Sequence, residues 1–146
     1  MYKTILHATD LSENHYLICK EALELAKYFN AKLHLLHVLE SPTSFQLAQG
    51  LGFAELIAPV KEDAIAVMKI LSESLNIPDD QQHVTVGSIK HSIFDTAKAI
   101  YANLIIIGNH SQNRLADFLG NTAQTIIRHA PCDVLTLRGN VKASIL

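Results

Sequence analysis

Short strand-like segments alternate with longer helical ones along the whole chain, and this alternation limits the possible folds more than any other feature. Consecutive strand-like segments are separated by stretches long enough for a crossover helix, which parallel strands require. The pattern predicts a Rossmann-like, three-layer α/β/α doubly wound sheet of five mainly parallel strands. The predicted strands are Lys3–Thr9, Lys32–Val38, Gln82–Val86, Leu104–Ile107 and Asp133–Leu137.

Apolar residues spaced three or four apart predict a helix between each pair of consecutive strands. The first covers Asn14–Phe29, and Pro59 suits the first turn of the second, whose apolar stripe continues until Pro78. The third lies around Ile93–Tyr101, and the last covers Asn121–Ala130. Leu104–Ile107 is entirely apolar, as expected for a central strand covered on both faces.

Composition places the chain among globular proteins of one domain, residues 1–146. Hydrophobic residues make up 49% and charged residues 18% of the chain. A net charge of -2 argues against non-specific binding of nucleic acid, which needs a basic surface. No basic-then-apolar leader is visible at the N-terminus, and no apolar run approaches the roughly 20 residues that span a bilayer. We therefore expect a cytoplasmic protein without membrane association.

The two cysteines, Cys19 and Cys132, have no paired spacing. They are expected to be free, buried thiols in a reducing compartment.

The predicted fold selects candidate site residues before any motif is considered. Ligands of doubly wound sheets bind beyond the carboxyl ends of the strands, where the strand order reverses. The residues in question follow the first four strands: Thr9–Ser12, Val38–Glu40, Gly87–Ile89 and the segment from Gly108 onward.

The loop from Gly108 to Asn121 carries the strongest signal of a ligand site. It leaves a strand at one glycine and enters a helix after another, Gly120. Glycine permits positive φ and close approach of the backbone to a phosphate, and a helix start offers unpaired N–H groups. The alternative is that Gly108 only ends a strand while Gly120 and Asn121 only cap a helix.

Three stretches of the chain resemble the universal stress protein family, and together they extend over nearly its whole length. They are ILHATDLS, AKLHLLHV, and ANLIIIGNH followed by FLGNTAQTIIRHAPCDVLTLR. The resemblance implies a doubly wound, five-stranded fold of the adenine nucleotide alpha hydrolase-like kind, often dimeric. It also implies a site for ATP or AMP, with or without Mg, at a loop of the form G-x-x-G, nine residues, then G-[S/T].

The loop departs from that form at three points. The second glycine falls on Ser111, eight residues separate Ser111 from Gly120, and Asn121 stands where a small hydroxyl residue is expected. Thr122 offers a nearby hydroxyl. The nucleotide-binding residues implied by the resemblance are Ala8, Thr9, Asp10, Val38, Gly108, Asn109, His110, Ser111, Gly120, Asn121, Thr122 and Ala123.

Asp10 and Val38 take particular roles in this comparison. Asp10 stands where the family has an acidic residue near the adenosine, and a carboxylate there accepts hydrogen bonds from ribose hydroxyls. The alternative is that Asp10 or Ser12 caps the following helix. Val38 matches the position whose main chain meets the adenine ring.

The predicted function is that of a stress-response regulator that binds an adenine nucleotide and is not an enzyme. The sequence contains no GxxxxGK[ST] loop, no GxGxxG after the first strand and no nucleophile elbow. The alternatives are a nucleotide-free dimeric interaction module and, ranked last, a weak ATP hydrolase. The apolar strand Asp133–Leu137 predicts a homodimer, because a free edge of this kind invites pairing.

Overall fold

A computed structural model describes residues 1–11, 13–40, 58–108 and 123–139 of the chain. Its strands are β1 (Thr4–Ala8), β2 (Lys32–Leu39), β3 (Gln82–Val86), β4 (Leu104–Gly108) and β5 (Asp133–Leu137). Its helices are α1 (Glu13–Phe29), α2 (Ala58–Ser74), α3 (Ile89–Ala99) and α4 (Gln124–His129), and a 3₁₀ turn, Asp79–Gln81, precedes β3. All five predicted strands are present, with ends within one residue of those expected.

The five strands form one parallel sheet in the order β3-β2-β1-β4-β5. The chain moves outward from β1 to β3 and then returns to the other side of β1 with β4. The order therefore reverses between β1 and β4, which makes the carboxyl ends of these two strands the expected ligand crevice. The prediction of a doubly wound sheet is confirmed.

Two separate hydrophobic cores show that helices cover both faces of the sheet. One core joins Ile5 and Ile106 to buried residues of α1 and to Met68 of α2. The other joins Leu6 and Ile105 to α3 and α4, with Ile93, Ala97 and Ile126 among its members. Each of these side chains is at most 2% exposed.

The apolar run of β4 is divided evenly between the two cores. Leu104 and Ile106 belong to the core under α1 and α2, while Ile105 and Ile107 belong to the core under α3 and α4. Alternation along a strand sends successive side chains to opposite faces. A strand that is buried on both faces therefore needs the unbroken apolar run that the sequence shows.

Asn30 and Asn76 end the segments that carry α1 and α2 by adopting left-handed backbone angles, with φ of 54° and 55°. The N–H groups of the next residues, Ala31 and Ile77, then donate to carbonyls five residues back, at 2.8 Å in both cases. Asparagine tolerates this conformation better than most residues, which explains its use at both ends. These ends direct the chain into β2 and toward β3.

The prediction that both thiols are free and buried is confirmed for Cys19, but it is wrong about the burial of Cys132. Both cysteines are free, but Cys19 is buried and Cys132 is only partly buried. Cys132 immediately precedes β5, at the edge of the sheet, so no layer covers it fully. Among the described helices, none is both long and apolar enough to cross a bilayer.

Candidate functional site

The site was predicted around the loop from Gly108 to Asn121, most of which lies outside the described residues. The structure describes its neighbours at the strand ends, Thr9 and Asp10, which follow β1, and Gly108, which ends β4. β1 and β4 are direct neighbours, with Ala8 paired to Ile107. Their carboxyl ends therefore lie side by side at the point where the strand order reverses. The structure brings these three residues to the place that the fold rule selects.

Thr9 is fixed through both its backbone and its side chain. Its N–H donates to the carbonyl of Leu36 at 2.8 Å, and its carbonyl accepts from Nδ1 of His37 at 2.8 Å. Its hydroxyl accepts from the N–H of Leu11 at 3.1 Å, where the chain turns with a φ of 63°. This turn sets the direction in which Asp10 leaves the strand.

The imidazole of His15 contacts both the carboxylate and the backbone N–H of Asp10. Nε2 of His15 lies 3.5 Å from Oδ2 of Asp10, and the N–H of Asp10 lies toward Nδ1 of His15, at 3.4 Å between the nitrogens. A neutral ring with its proton on Nε2 suits both contacts, because Nδ1 then accepts while Nε2 donates. The His15 side chain is 6% exposed and that of Asp10 is 50% exposed. The Asp10 carboxylate therefore contacts a buried histidine on one side and remains accessible to solvent on the other.

Behind His15 lies a second histidine, His7, which is completely buried. The two rings are nearly parallel, at 13°, with centroids 6.1 Å apart. Nδ1 of His7 donates to the carbonyl of Ile106 at 3.0 Å, and its Nε2 is buried without a hydrogen-bond partner in the described part of the chain. Burial lowers the pKa of His7 to about 4, against the smaller opposing effects of the Ile106 carbonyl and Asp10. His7 is therefore neutral at pH 7.

Gly108 is needed here for close packing. A Cβ at this position would lie 2.7 Å from Cδ1 of Ile18 and 3.1 Å from Cε1 of His15. The described glycines with positive φ are Gly87 and Gly139, so Gly108 does not use the positive φ that glycine permits. The missing side chain instead lets the first turns of α1 lie directly on the end of β4.

The remaining described site candidates lie on the other face of the sheet. Ala8 and Val38 pack against the core beneath α3 and α4, and Ala123 is a member of that core at 3% exposure. Val38 is paired with Thr85 of β3, one strand further from the switch point. Val38 therefore lies beside the crevice, and Ala123 is a buried residue of the core under α3 and α4. The other candidates lie outside the described residues: Asn109, His110, Ser111, Gly120, Asn121 and Thr122.

Sequence reasoning missed the histidines that support this strand end. Neither His7 nor His15 was among the residues that the sequence analysis selected for the site. Their roles depend on α1 folding back over β1, which places His15 beside a residue only five positions earlier. The available signal was the position of His15 in the first turns of a helix that directly follows a candidate carboxylate.

The buried thiol of Cys19 also belongs to this face of the site. Burial raises the pKa of Cys19 to about 11, although a hydrogen bond with the Thr9 hydroxyl acts in the opposite direction. The thiol is therefore protonated at neutral pH and behaves as a small packing group.

Comparison with known proteins assigns the chain to a family. It matches the universal stress protein family over residues 1–138. Universal stress protein A homolog 1 of Coxiella burnetii is 31% identical over 138 residues, which cover 93% of this chain and 96% of that protein. Homolog 2 of the same organism is 34% identical over 139 residues, covering 94% and 95%. The chain belongs to the universal stress protein family, as its sequence segments predicted.

Solved structures agree with this assignment. The universal stress protein UspA from Lactobacillus plantarum has a TM-score of 0.66 at 25% identity, covering 94% of this chain and 98% of that one. A universal stress protein solved in complex with cAMP has a TM-score of 0.68 at 19% identity, with the same coverage. At such identities the likeness concerns the fold.

Proposed function

We propose that this universal stress protein is a regulator of the stress response that binds an adenine nucleotide, ATP or AMP, at the carboxyl ends of β1 and β4. In this proposal, nucleotide occupancy changes the packing or the partner choice of the protein. Its role is binding, and catalysis is not part of it. Mg accompanies ATP where the triphosphate is the ligand.

The observation that carries the proposal is the half-exposed Asp10 carboxylate beside Gly108 at the switch point of the sheet. Asp10 follows β1, Gly108 ends β4, and His15 contacts the first and packs on the second. An anchored carboxylate in such a crevice is suited to accept hydrogen bonds from the two hydroxyls of a ribose. Because His15 already fixes its orientation, less side-chain entropy is lost on binding.

The phosphate part of the proposal depends on the loop from Gly108 to Asn121, most of which lies outside the described residues. We propose that its backbone N–H groups hold the phosphates, as the resemblance implied. A neighbour of the same fold, solved in complex with cAMP, supports the capacity of this architecture to hold an adenine nucleotide.

A homodimer through β5 is part of the same proposal. β5 lies at the edge of the sheet and pairs on one side with β4. Its residues Val134, Leu135 and Leu137 are only partly buried, and Ile127 of the neighbouring α4 is 57% exposed. An apolar edge strand next to an exposed isoleucine favours pairing with a second copy.

Thermal denaturation with and without millimolar Mg-ATP tests the nucleotide site. A ligand at about 100 times its dissociation constant adds about 2.7 kcal/mol of stability, an upward shift of several degrees for a domain of this size. Asp10→Asn should reduce the shift, since the amide keeps the size of the side chain and loses its charge. The control is Glu73→Gln, an exposed position near the end of α2.

Two results would contradict the proposal. One is the absence of a shift with ATP, ADP and AMP alike, which would favour the nucleotide-free interaction module. The other is an equal shift in the wild-type protein and in Asp10→Asn, which would place the nucleotide elsewhere.

A further inference from the structure

Two histidines meet across neighbouring strands far from Asp10. Nδ1 of His34, in β2, lies 3.0 Å from Nε2 of His83, in β3. The register pairs Leu36 with His83, so His34 is the diagonal neighbour of His83 on the same face of the sheet. The ring planes differ by 16° and the centroids are 5.3 Å apart. Since the nitrogens are much closer than the ring centres, the imidazoles meet edge to edge through their nitrogens.

Both imidazoles are partly exposed and are neutral at pH 7. Burial lowers the pKa of His34 and of His83, and the charge of His83 lowers that of His34 further. Asp80, in the 3₁₀ turn before β3, acts in the opposite direction on both, and Lys32 lowers the pKa of His34. Neutral imidazole is the form that binds metal ions, so no bound proton has to be removed first.

We propose that Nδ1 of His34 and Nε2 of His83 form a two-imidazole site for a divalent transition metal ion of the Cu²⁺, Ni²⁺ or Zn²⁺ class. With metal–nitrogen bonds of about 2.0–2.1 Å, two ligands at a right angle are separated by about 2.9 Å. The observed 3.0 Å therefore suits neighbouring ligand positions on a square-planar or octahedral ion. In the hydrogen-bonded pair the two facing nitrogens point directly at each other. Each ring therefore has to turn by roughly 45° for both lone pairs to meet one ion at a right angle.

The proton of the N–H···N contact remains on the protein when the ion binds. In the metal-free pair one of the two facing nitrogens carries a hydrogen, and metal binding requires both to be unprotonated. The donating imidazole therefore shifts its proton to its other ring nitrogen, becoming the opposite neutral tautomer. Metal binding at neutral pH thus releases no proton from this pair.

The remaining ligand positions are filled from solvent or by Asp80. Within the described ranges no three histidine, cysteine or acidic side chains are already grouped as a metal site. Asp80 is exposed at the amino end of β3, and its carboxylate is the acidic group that acts on both rings. Copper should bind most tightly, since imidazole sites follow the order Ni²⁺ < Cu²⁺ > Zn²⁺.

This site is independent of the nucleotide proposal. Asp10 lies beyond the carboxyl end of β1, whereas His83 is the second residue of β3, at the amino end of that strand. The failure of either proposal leaves the other standing.

Calorimetric titration of the full chain with Cu²⁺, Ni²⁺ and Zn²⁺ at pH 7.5 tests the site. The expected result is one ion per chain, with affinity weakened roughly tenfold or more in His34→Gln and in His83→Gln. The matched controls are His91→Gln and His129→Gln, which remove exposed histidines from helices. Far-ultraviolet circular dichroism checks that every variant is folded.

Two further readouts distinguish this site from adventitious binding. Electron paramagnetic resonance of the Cu²⁺-loaded protein should show coupling to two nitrogens in the wild type and to fewer in either site variant. Heats measured in buffers of different ionisation enthalpy should show no net proton release. Absence of saturable binding, or equal affinity in the wild type, His34→Gln and His83→Gln, would overturn the proposal and leave the pair as a hydrogen bond alone.

Discussion

A methyl group placed on Gly108 would lie 2.7 Å from the Cδ1 atom of Ile18. Ile18 is 1% exposed, and a Cβ on Gly139 would lie 3.3 Å from its Cγ1 atom. The isoleucine is therefore enclosed by two glycine positions and has little room to move. This packing attaches the start of α1 to the end of β4 and forms the floor of the candidate site.

We expect Gly108→Ala to destabilise the protein by about 1–3 kcal/mol, the usual cost of overpacking a core. Chemical denaturation followed by circular dichroism measures this change. Ile18→Val removes the closest atom, so the double variant Gly108→Ala/Ile18→Val should be more stable than the sum of the single effects predicts. Strict additivity would show that Ile18 does not limit the space at Gly108.

His7 should make the protein sensitive to acid between about pH 6.5 and 4. Its pKa is about 4 in the folded state and near 6.5 when unfolded, so the unfolded chain binds the proton first as the pH falls. The resulting loss of stability is fully developed below the folded pKa and is about 3 kcal/mol at most. Above about pH 6.5 the effect is absent.

Measuring the free energy of unfolding at several pH values tests this prediction. His7→Gln cannot titrate and should lose less stability on acidification than the wild type, while the exposed control His91→Gln should match the wild type. His34 and His83 also have lowered pKa values, so the slope in His7→Gln is reduced rather than abolished. Identical slopes in the wild type and His7→Gln would contradict the assignment.

The proposed dimer predicts a mass about twice the 16.1 kDa of one chain in light scattering at micromolar concentration. Ile127→Lys places a charge beside the edge strand β5 and should shift the mass toward the monomer. Ile70→Lys, at a similarly exposed isoleucine on α2, is the matched control and should leave the mass unchanged. A wild-type monomer, or equal effects of both changes, would contradict pairing through β5.

The sequence predicted the sheet closely because its signals are local. An unbroken apolar run such as Leu104–Ile107 indicates a strand that is covered on both faces. Such features depend on neighbouring residues only. The chirality and length of the connections limit the possible strand orders. The order β3-β2-β1-β4-β5 itself is known from the structure.

The supports of the candidate site were less accessible because they depend on the path of the chain. The contact between Asp10 and His15 exists because the turn at Leu11 sends α1 back across the sheet. The packing role of Gly108 likewise depends on which face of α1 lies above it. The sequence analysis considered Gly108 for positive φ and for close approach to a phosphate, whereas the structure shows that its missing side chain makes room for Ile18 and His15 of α1.

Direct titration of the protein with ATP and AMP tests the central claim, that an adenine nucleotide binds beside Asp10. We predict saturable binding of one nucleotide per chain, with affinity reduced about tenfold or more in Asp10→Asn, since hydrogen bonds to a charged group contribute about 1.5–3 kcal/mol. Glu73→Gln should bind as the wild type does. If neither nucleotide binds, or if Asp10→Asn binds as tightly as the wild type, the account of this site is contradicted.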